Sequence, residues 1–349
     1  MVKTMIQQVM TAPGEISFRK VPVPAVEKGQ VLVKIHIVGI CGSDIHVYHG
    51  KHPFTKYPVT QGHEVSGTIE ALGEGVENFT LGQKVTIEPQ VFCGHCYPCT
   101  HGKYNLCTEL KVMGFQTTGA ASEFFAVDAS KVTPLPEALS FEEGAMIEPL
   151  SVAVHGIRRA GDVAGKKIVV LGAGPIGNLV AQVAKGLGAE EVMITDVSDY
   201  RLSLAKSCGA DYAVNTAKED FETALIKNLG PDRADIIYDC AGNNTTINQA
   251  IRCARKGSTL ILIAVFADMA NVDLAVLNDH ELDLNTSMMY RHEDYLTAIE
   301  LVRDGKVHLR PLMSKVFPFG EYKKAYEYID TNRESTVKVL IDIQDHNNL

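Results

Sequence analysis

The sequence has 349 residues, 46 % hydrophobic and 21 % charged, the balance of an ordinary globular chain. That excludes wholesale disorder, collagen-like repeats and a small disulfide-stapled scaffold; the length predicts two domains, each able to bury a core. With 33 Lys and Arg against 42 Asp and Glu, a net charge of -9 and no basic block, no nucleic-acid or anionic-membrane partner is expected.

The most apolar stretch, 168–189, is interrupted by several glycines, Pro175, Asn178, Gln182 and Lys185. It reads as strand, turn and helix rather than a membrane span. The opening Met-Val-Lys-Thr-Met-Ile-Gln-Gln lacks the apolar core of a signal peptide. The expected compartment is the cytoplasm, where the eight cysteines serve as thiols or metal ligands.

Residues 1 to about 150 read as mostly β. Val31–Val38 alternates and is rich in β-branched residues, as is Glu64–Ala71, and Gly and Pro punctuate the chain often, a pattern of a barrel or sandwich. Near residue 160 the texture changes. Lys167–Leu171 predicts a strand, 175–188 a helix, Glu191–Thr195 a strand, Asp199–Ser207 a helix, Asp235–Tyr238 a strand, Thr245–Arg255 a helix and Ser258–Val265 a buried strand. Strands and helices alternating at this pitch predict an α/β unit with a doubly wound parallel sheet. A helix over Asp294–Arg303, a Pro-containing segment at Val316–Phe319, a helix over Glu321–Tyr328 and a strand over Thr336–Ile343 close the chain. A strand edge at Leu282–Asn285 is the candidate for pairing between copies.

Gly172-Ala173-Gly174-Pro175-Ile176-Gly177 fits G-x-G-x-x-G between a predicted strand and a predicted helix. The first glycine allows the tight turn, the second lets a pyrophosphate approach the backbone, and the third lets helix pack on strand. The helix N-terminus offers free N–H groups to the phosphates. Asp196 lies 19 residues past Gly177, where a carboxylate binds the adenosine ribose and repels a 2′-phosphate, so NAD is expected over NADP. Arg201, in the next helix, completes the candidate cofactor residues.

Cys93, Cys96, Cys99 and Cys107 are spaced C-x2-C-x2-C-x7-C. Four thiolates with turn residues between them can wrap one tetrahedral ion, the chemistry of structural zinc. An iron–sulfur cluster also takes four thiolates, but the common ferredoxin run has three residues before its last Cys and a Pro after it; here Thr108 follows. Disulfides are the other alternative.

A second constellation joins Gly39-Ile40-Cys41-Gly42-Ser43-Asp44-Ile45-His46, Gly62-His63-Glu64 and Ile147-Glu148-Pro149. A catalytic zinc takes three protein ligands and keeps an open position. Cys41, His63 and either Glu64 or Glu148 would supply them. Taken singly, each has a plainer role as a buried thiol, a core histidine or a surface charge, and spacing alone does not unite them.

These residues resemble the zinc-dependent medium-chain dehydrogenases over essentially the whole chain, on the segments 39–46, 62–67, 93–107 and 172–177. Ile147-Glu148-Pro149-Leu150-Ser151-Val152-Ala153-Val154-His155 is most similar to the polyol (sorbitol/L-iditol) dehydrogenase branch. The resemblance implies a GroES-like β-barrel catalytic domain over 1–155 and 289–349, with a structural zinc lobe near 90–110. A Rossmann NAD domain over 156–288 would be inserted in it, with the active site in the cleft. It implies Cys41 and His63 as zinc ligands with Glu64 or Glu148 as the third, and Ser43 and His46 as a proton relay to solvent. Tyr48, Glu148 and Arg291 are candidates for holding substrate hydroxyls. Alcohol dehydrogenases carry a Cys near Glu148; its absence here tilts the substrate toward polyols or sugar acids.

There are departures. The animal sorbitol dehydrogenases lack the four-cysteine lobe and carry an Arg-Tyr pair where this chain has Tyr290-Arg291. The segment Tyr48–Tyr57, with His49, His52 and Lys56, also resembles sugar-acid (galactonate-type) oxidoreductases, and threonine dehydrogenases share the Cys-Gly-x-Asp-x-His and Gly-His-Glu motifs. The expected activity is hydride transfer from a secondary alcohol of a polyol or sugar derivative to NAD. The alternatives are a sugar-acid or L-threonine 3-dehydrogenase, a zinc-free quinone-reductase relative, and an inactive NAD-binding regulator. The family leads us to expect a homo-oligomer, a tetramer ahead of a dimer.

Overall fold

The structure, a computed structural model, describes residues 3–266 and 268–347. The chain folds into two compact units. One takes the N-terminal part through Glu148 together with the chain from Met313 onward; the other is Pro149–Leu312.

The first unit is built on a seven-stranded sheet in the order Met313–Pro318, Lys338–Asp342, Gln30–Ile40, Glu64–Leu72, Lys84–Ile87, Val132–Pro134, with Phe124–Asp128 also paired to Gln30–Ile40. Pairing is antiparallel except between Met313–Pro318 and Lys338–Asp342. Gln30–Ile40 holds the sheet together. Glu64–Leu72 runs along one edge, while Phe124–Asp128 and Lys338–Asp342 share the other. The expected alternation of Val31–Val38 therefore gives way to burial at nearly every position, because both faces are covered. The core gathers Val33, Ile35, Val38, Val65, Ile69, Val85 and Ile87 with Phe317, Phe319 and Tyr326 from the end of the chain. A separate hairpin pairs Thr4–Ala12 with Glu15–Pro22.

The second unit holds a six-stranded parallel sheet in the order Tyr212–Asn215, Glu191–Asp196, Lys167–Leu171, Ile236–Asp239, Thr259–Leu262, Asp283–Thr286. Numbered along the chain, that is the order 3-2-1-4-5-6 of a doubly wound dinucleotide fold, whose ligand crevice lies where the order reverses, at the carboxyl ends of the first strands. The central strands Lys167–Leu171, Glu191–Asp196 and Ile236–Asp239 are short, largely apolar runs buried on both faces, as a parallel sheet under helices requires.

Three expectations need correction. The strand expected over Ser258–Val265 stops at Leu262, and Val265 is 88 % exposed; hydrophobic composition alone overran its end. The helix Ile147–Arg158, the strand Tyr212–Asn215 and the helix Phe221–Leu229 were not anticipated. The unit boundaries fall at 148/149 and 312/313 rather than 155/156 and 288/289. The cause is packing. Asp294, 0 % exposed in the helix His292–Arg303, accepts from His155 Nδ1 at 2.8 Å, Arg158 Nη1 at 2.7 Å and the Arg291 N–H at 2.8 Å. A Cβ on Gly156 would meet Ile263 Cδ1 at 2.4 Å. The helix His292–Arg303 is thus tied to Ile147–Arg158, which packs against Ile263 just past the strand Thr259–Leu262, and Arg291 belongs to the second unit.

Candidate functional site

In the second unit, Gly172 follows the strand Lys167–Leu171 with φ +95°, a conformation glycine adopts without strain. A Cβ on Gly177 would lie 1.8 Å from Gly172 O, so no side chain fits there. A Cβ on Gly174 would meet no protein atom within 4 Å, leaving open space over the turn. Gly174 caps the helix Pro175–Gly186, with Pro175 and Ile176 in its first turn, and no side chain takes up its free N–H groups. An open backbone approach ending on an uncapped helix N-terminus fits a pyrophosphate.

Asp196 ends the neighbouring strand. Its Oδ2 accepts the Ala173 N–H at 2.7 Å, and its Oδ1 accepts the N–H groups of Val197 and Ser198 at 2.8 and 2.9 Å. The carboxylate is thereby pinned beside the glycine turn as an anion with lone pairs left for hydroxyl donors. Arg201 stands in the first turn of the helix Asp199–Ser207, its N–H on Ser198 Oγ at 3.3 Å.

One shaping residue was missed. Asp239, 1 % exposed, accepts the N–H groups of Ala241 and Gly242 at 3.0 Å each and Thr246 Oγ1 at 3.1 Å. It fixes the loop against which Gly172 packs, where an added Cβ would meet Ala241 Cβ at 3.1 Å. Its signal is an Asp at a strand end followed by Gly, with Thr seven residues on.

In the first unit, the ligand atoms of Cys93, Cys96, Cys99 and Cys107 all lie within 4.8 Å of one another, and all are free thiols. That removes the disulfide alternative. Backbone N–H groups of Cys93 and Glu109 point at Cys107 Sγ, and that of Cys96 at Cys93 Sγ, each at 3.3 Å. Backbone N–H bonds from Thr108 and Cys99 pull the Cys96 thiol down to about 5. Burial and the neighbouring Cys96 push Cys99 up to about 12. Four crowded sulfurs cannot all ionise unaided, and a divalent cation removes that conflict, so the donor set fits structural zinc.

Cys41, His63 and Glu64 also bring their ligand atoms within 4.8 Å. Strand register unites them: Gly39 pairs with Glu64 across the sheet, so the end of one strand delivers Cys41 beside the start of the next. His63 is 5 % exposed, and its Nδ1 makes no hydrogen bond among the described residues; Asp44 Oδ2 stands 3.6 Å away. Burial disfavours the imidazolium, but Asp44 and Cys41 more than offset it and hold the ring well above its ordinary value. A buried imidazole whose ligand atom lies within 4.8 Å of a thiol and a carboxylate, in surroundings that favour positive charge, fits a cation in this cluster.

Around the cluster lie partners that sequence reasoning missed. Asp44 accepts the Cys41 N–H at 2.9 Å and Gln61 Nε2 at 3.1 Å, and Gln61 Oε1 accepts Tyr326 Oη at 2.5 Å. This buried chain orients Asp44 behind His63, the type of outer carboxylate that orients metal-bound imidazoles. Lys338, 3 % exposed, donates to both Glu64 oxygens at 2.6 and 2.7 Å and to Ile40 O at 3.2 Å. The Glu64 carboxylate and the Cys41 sulfur keep it charged despite burial. Glu64 thus already has a full cationic partner. Glu148, 5 % exposed in the first turn of Ile147–Arg158, lies outside the three-residue group but near enough to act electrostatically on His63 and Lys338.

Ser43 and His46 share one face of the helix Gly42–Tyr48, Ser43 half-buried and His46 exposed. Tyr48 is buried and stacks on Tyr326 at 4.5 Å. Arg291, in the second unit, pairs with Glu293 at 3.0 Å.

Comparison with known proteins agrees with this architecture. The alcohol dehydrogenase GroES-like domain matches residues 27–137, and the zinc-binding dehydrogenase domain matches residues 175–304. The chain belongs to the zinc-dependent medium-chain dehydrogenases. Among its relatives, 2-dehydro-3-deoxy-L-galactonate 5-dehydrogenase of Pseudoalteromonas atlantica is 36 % identical over 94 % of this chain and 96 % of its own length. Sorbitol dehydrogenase 1 of Saccharomyces cerevisiae is 34 % identical over 95 % and 96 %. An alcohol dehydrogenase from Escherichia coli CFT073, solved in complex with NADH, superposes with a TM-score of 0.91 at 31 % identity, over 97 % of this dehydrogenase and 99 % of that chain. Both the GroES-like β unit and the Rossmann-type sheet are thus those of the family.

Proposed function

We propose that this dehydrogenase oxidises a secondary alcohol of a polyol or sugar derivative with NAD as hydride acceptor. The observation that carries the proposal is the Cys41–His63–Glu64 group, an open three-ligand donor set in a chain that also carries a complete dinucleotide turn. Cys41 and His63 would hold the catalytic zinc with Glu64 or Glu148, and the four cysteines the structural one. When bound, the catalytic ion supplies Lewis-acid polarisation of the substrate oxygen, and NAD accepts the hydride. Gly172, Gly174, Pro175, Ile176 and Gly177 receive the pyrophosphate, and Asp196, with Arg201 beside it, favours an unphosphorylated ribose. Ser43 Oγ passes the hydroxyl proton to the His46 imidazole, whose exposure opens the path to solvent. Tyr48 and Glu148 are assigned to substrate hydroxyls.

A sugar acid is the second reading, favoured by the galactonate-type relative. We further propose a cytoplasmic homo-oligomer, a tetramer ahead of a dimer. Supporting it, all eight cysteines are free thiols. The second unit's sheet also ends on Asp283–Thr286, with Val265, Met269, Leu274 and Met288 more than half exposed.

The test is NADH formation against sorbitol, xylitol, galactitol, L-iditol, L-galactonate and L-threonine, with NAD and NADP, for zinc-loaded and chelator-treated protein. A chelator-sensitive signal with NAD and a polyol or sugar acid is expected. Turnover of threonine alone, or none with any alcohol, overturns the proposal.

A further inference from the structure

The first unit holds a cavity of about 520 Å³ between the N-terminal hairpin, the segment 54–60 and the segment 115–118. Two cations line it, Arg19 and Lys56, and no carboxylate does. In a chain of net charge -9, that is a local reversal of the average.

Neither cation is neutralised. Arg19 spends Nε and Nη2 on Gln7 Oε1, at 2.9 and 2.7 Å, across the hairpin where the two residues are paired in register. These bonds to a neutral amide fix the guanidinium plane, keep its full charge and leave Nη1 for another partner. Lys56 has no hydrogen bond or ion pair among the described residues. Thr60, Gln116 and Thr117 add hydroxyl and amide groups, and Val9, Val59 and Phe115 are among its apolar walls.

The cavity borders the candidate metal centre. Phe115, one of its walls, packs its ring 4.9 Å from that of His63 and 4.8 Å from that of His52. Thr60, another wall residue, stands three positions before His63. A polyhydroxylated chain whose carbinol reaches Cys41 and His63 past Phe115 would place its far end among these groups.

We propose that Arg19 and Lys56 form an anion subsite that binds the terminal carboxylate or phosphate of the substrate, so that the physiological substrate is an acidic sugar derivative rather than a neutral polyol. The inference rests on the proposed dehydrogenase activity of the same site. A fixed guanidinium and an unpaired ammonium, in a lining that holds no carboxylate among the described residues, are the charge-assisted donors an oxyanion selects. A neutral polyol makes no use of them.

The test compares kcat/KM for L-galactonate, a hexitol 1-phosphate, sorbitol and L-iditol in the wild type, Lys56→Met, Arg19→Met and Lys56→Arg. The wild type is expected to prefer an anionic substrate. Either methionine variant should lower the ratio of kcat/KM for that substrate over sorbitol by about ten-fold or more, while Lys56→Arg restores most of it. The acid and phosphate arms identify which anion the subsite serves. An unchanged ratio in both methionine variants, or a preferred neutral substrate, overturns the subsite. Calorimetric titration of L-galactonate and of the hexitol phosphate into the zinc-loaded, NADH-bound protein is scored independently of turnover. Binding that Lys56→Met weakens supports the subsite even if no alcohol is oxidised and the activity proposal falls. Absence of binding of both ligands to the wild type overturns it.

Discussion

The Lys338–Glu64 pair offers the sharpest test of the site's electrostatics. Both side chains are almost fully buried, 3 % and 0 % exposed, and the ammonium meets both carboxylate oxygens at 2.6 and 2.7 Å. Lys338→Met keeps the chain length and removes the charge, leaving Glu64 an uncompensated anion with no access to water. Breaking a buried pair from one side costs about 3–5 kcal/mol, because the desolvation of the remaining charge is no longer offset. With a urea slope of roughly 3 kcal/mol/M, the unfolding midpoint of the chelator-treated protein should fall by roughly 1–2 M. The chain has no tryptophan, so far-UV circular dichroism is the suitable probe. The double variant Glu64→Gln/Lys338→Met removes both charges and should recover most of the loss, since a matched neutral pair of similar volume is near neutral in stability. A single-variant loss below about 1 kcal/mol, or a double variant no better than the single, would refute the assignment of Lys338 as the buried counter-charge of Glu64.

Three further outcomes follow from the geometry. Gly174→Ala should leave the unfolding midpoint unchanged and weaken NADH binding by about ten-fold or more, because its methyl group meets no protein atom within 4 Å but occupies the approach to the turn. Gly177→Ala, whose Cβ would lie 1.8 Å from Gly172 O, should lower both; equal behaviour of the two variants by fluorescence titration and urea melts would contradict the turn's assignment. Cys107→Ser should reduce bound zinc from about two ions per chain to about one by elemental analysis while NADH still binds, since structural and catalytic sites use separate ligands; two ions retained would argue against the four-sulfur site. His36 stacks on Phe141 at 3.9 Å, and burial, then Lys34, holds its imidazole below the ordinary 6.5. The unfolded chain therefore takes up the proton first, so the stabilising contribution is present above 6.5 and is lost as the pH falls toward the lowered folded value. Urea midpoints through that window should fall less steeply in His36→Gln than in the wild type, and parallel slopes would count against this.

How much of this was readable beforehand depends on how far apart the cooperating atoms are in sequence. The glycine turn and its Asp196 were legible because their requirements are local: a positive φ at Gly172 and a helix packed on the backbone at Gly177. The four cysteines were legible for the same reason, lying within a single loop region. Cys41 and His63 were recognisable as ligand types, but only the pairing of Gly39 with Glu64 puts them side by side. Asp44 has no role that its spacing reveals, since only the fold turns it back to the Cys41 N–H and toward His63. Lys338 was out of reach altogether. It arrives on a strand from the far end of the chain, placed by the pairing of Ile40 with Val339, and an ammonium in a closing strand ordinarily marks an exposed edge.

The same register explains a residue that motif resemblance left without a cause. A Cβ at Gly39 would fall 2.1 Å from Glu64 Oε2 and 3.0 Å from Glu64 Cβ. Any side chain there would drive the Glu64 carboxylate from its position against Lys338. Because Gly39 is two residues before Cys41 on the same strand end, the displacement would reach the thiol as well. Gly39, Glu64 and Lys338 are therefore one packing unit. Gly39 makes the space, Lys338 supplies the charge, and between them the Glu64 carboxylate is held in place beside Cys41 and His63. That arrangement weighs on the choice of third ligand. For Glu64 to turn toward a cation it must loosen two short bonds to a buried ammonium. Glu64 and Lys338 thus set the potential around Cys41 and His63 together.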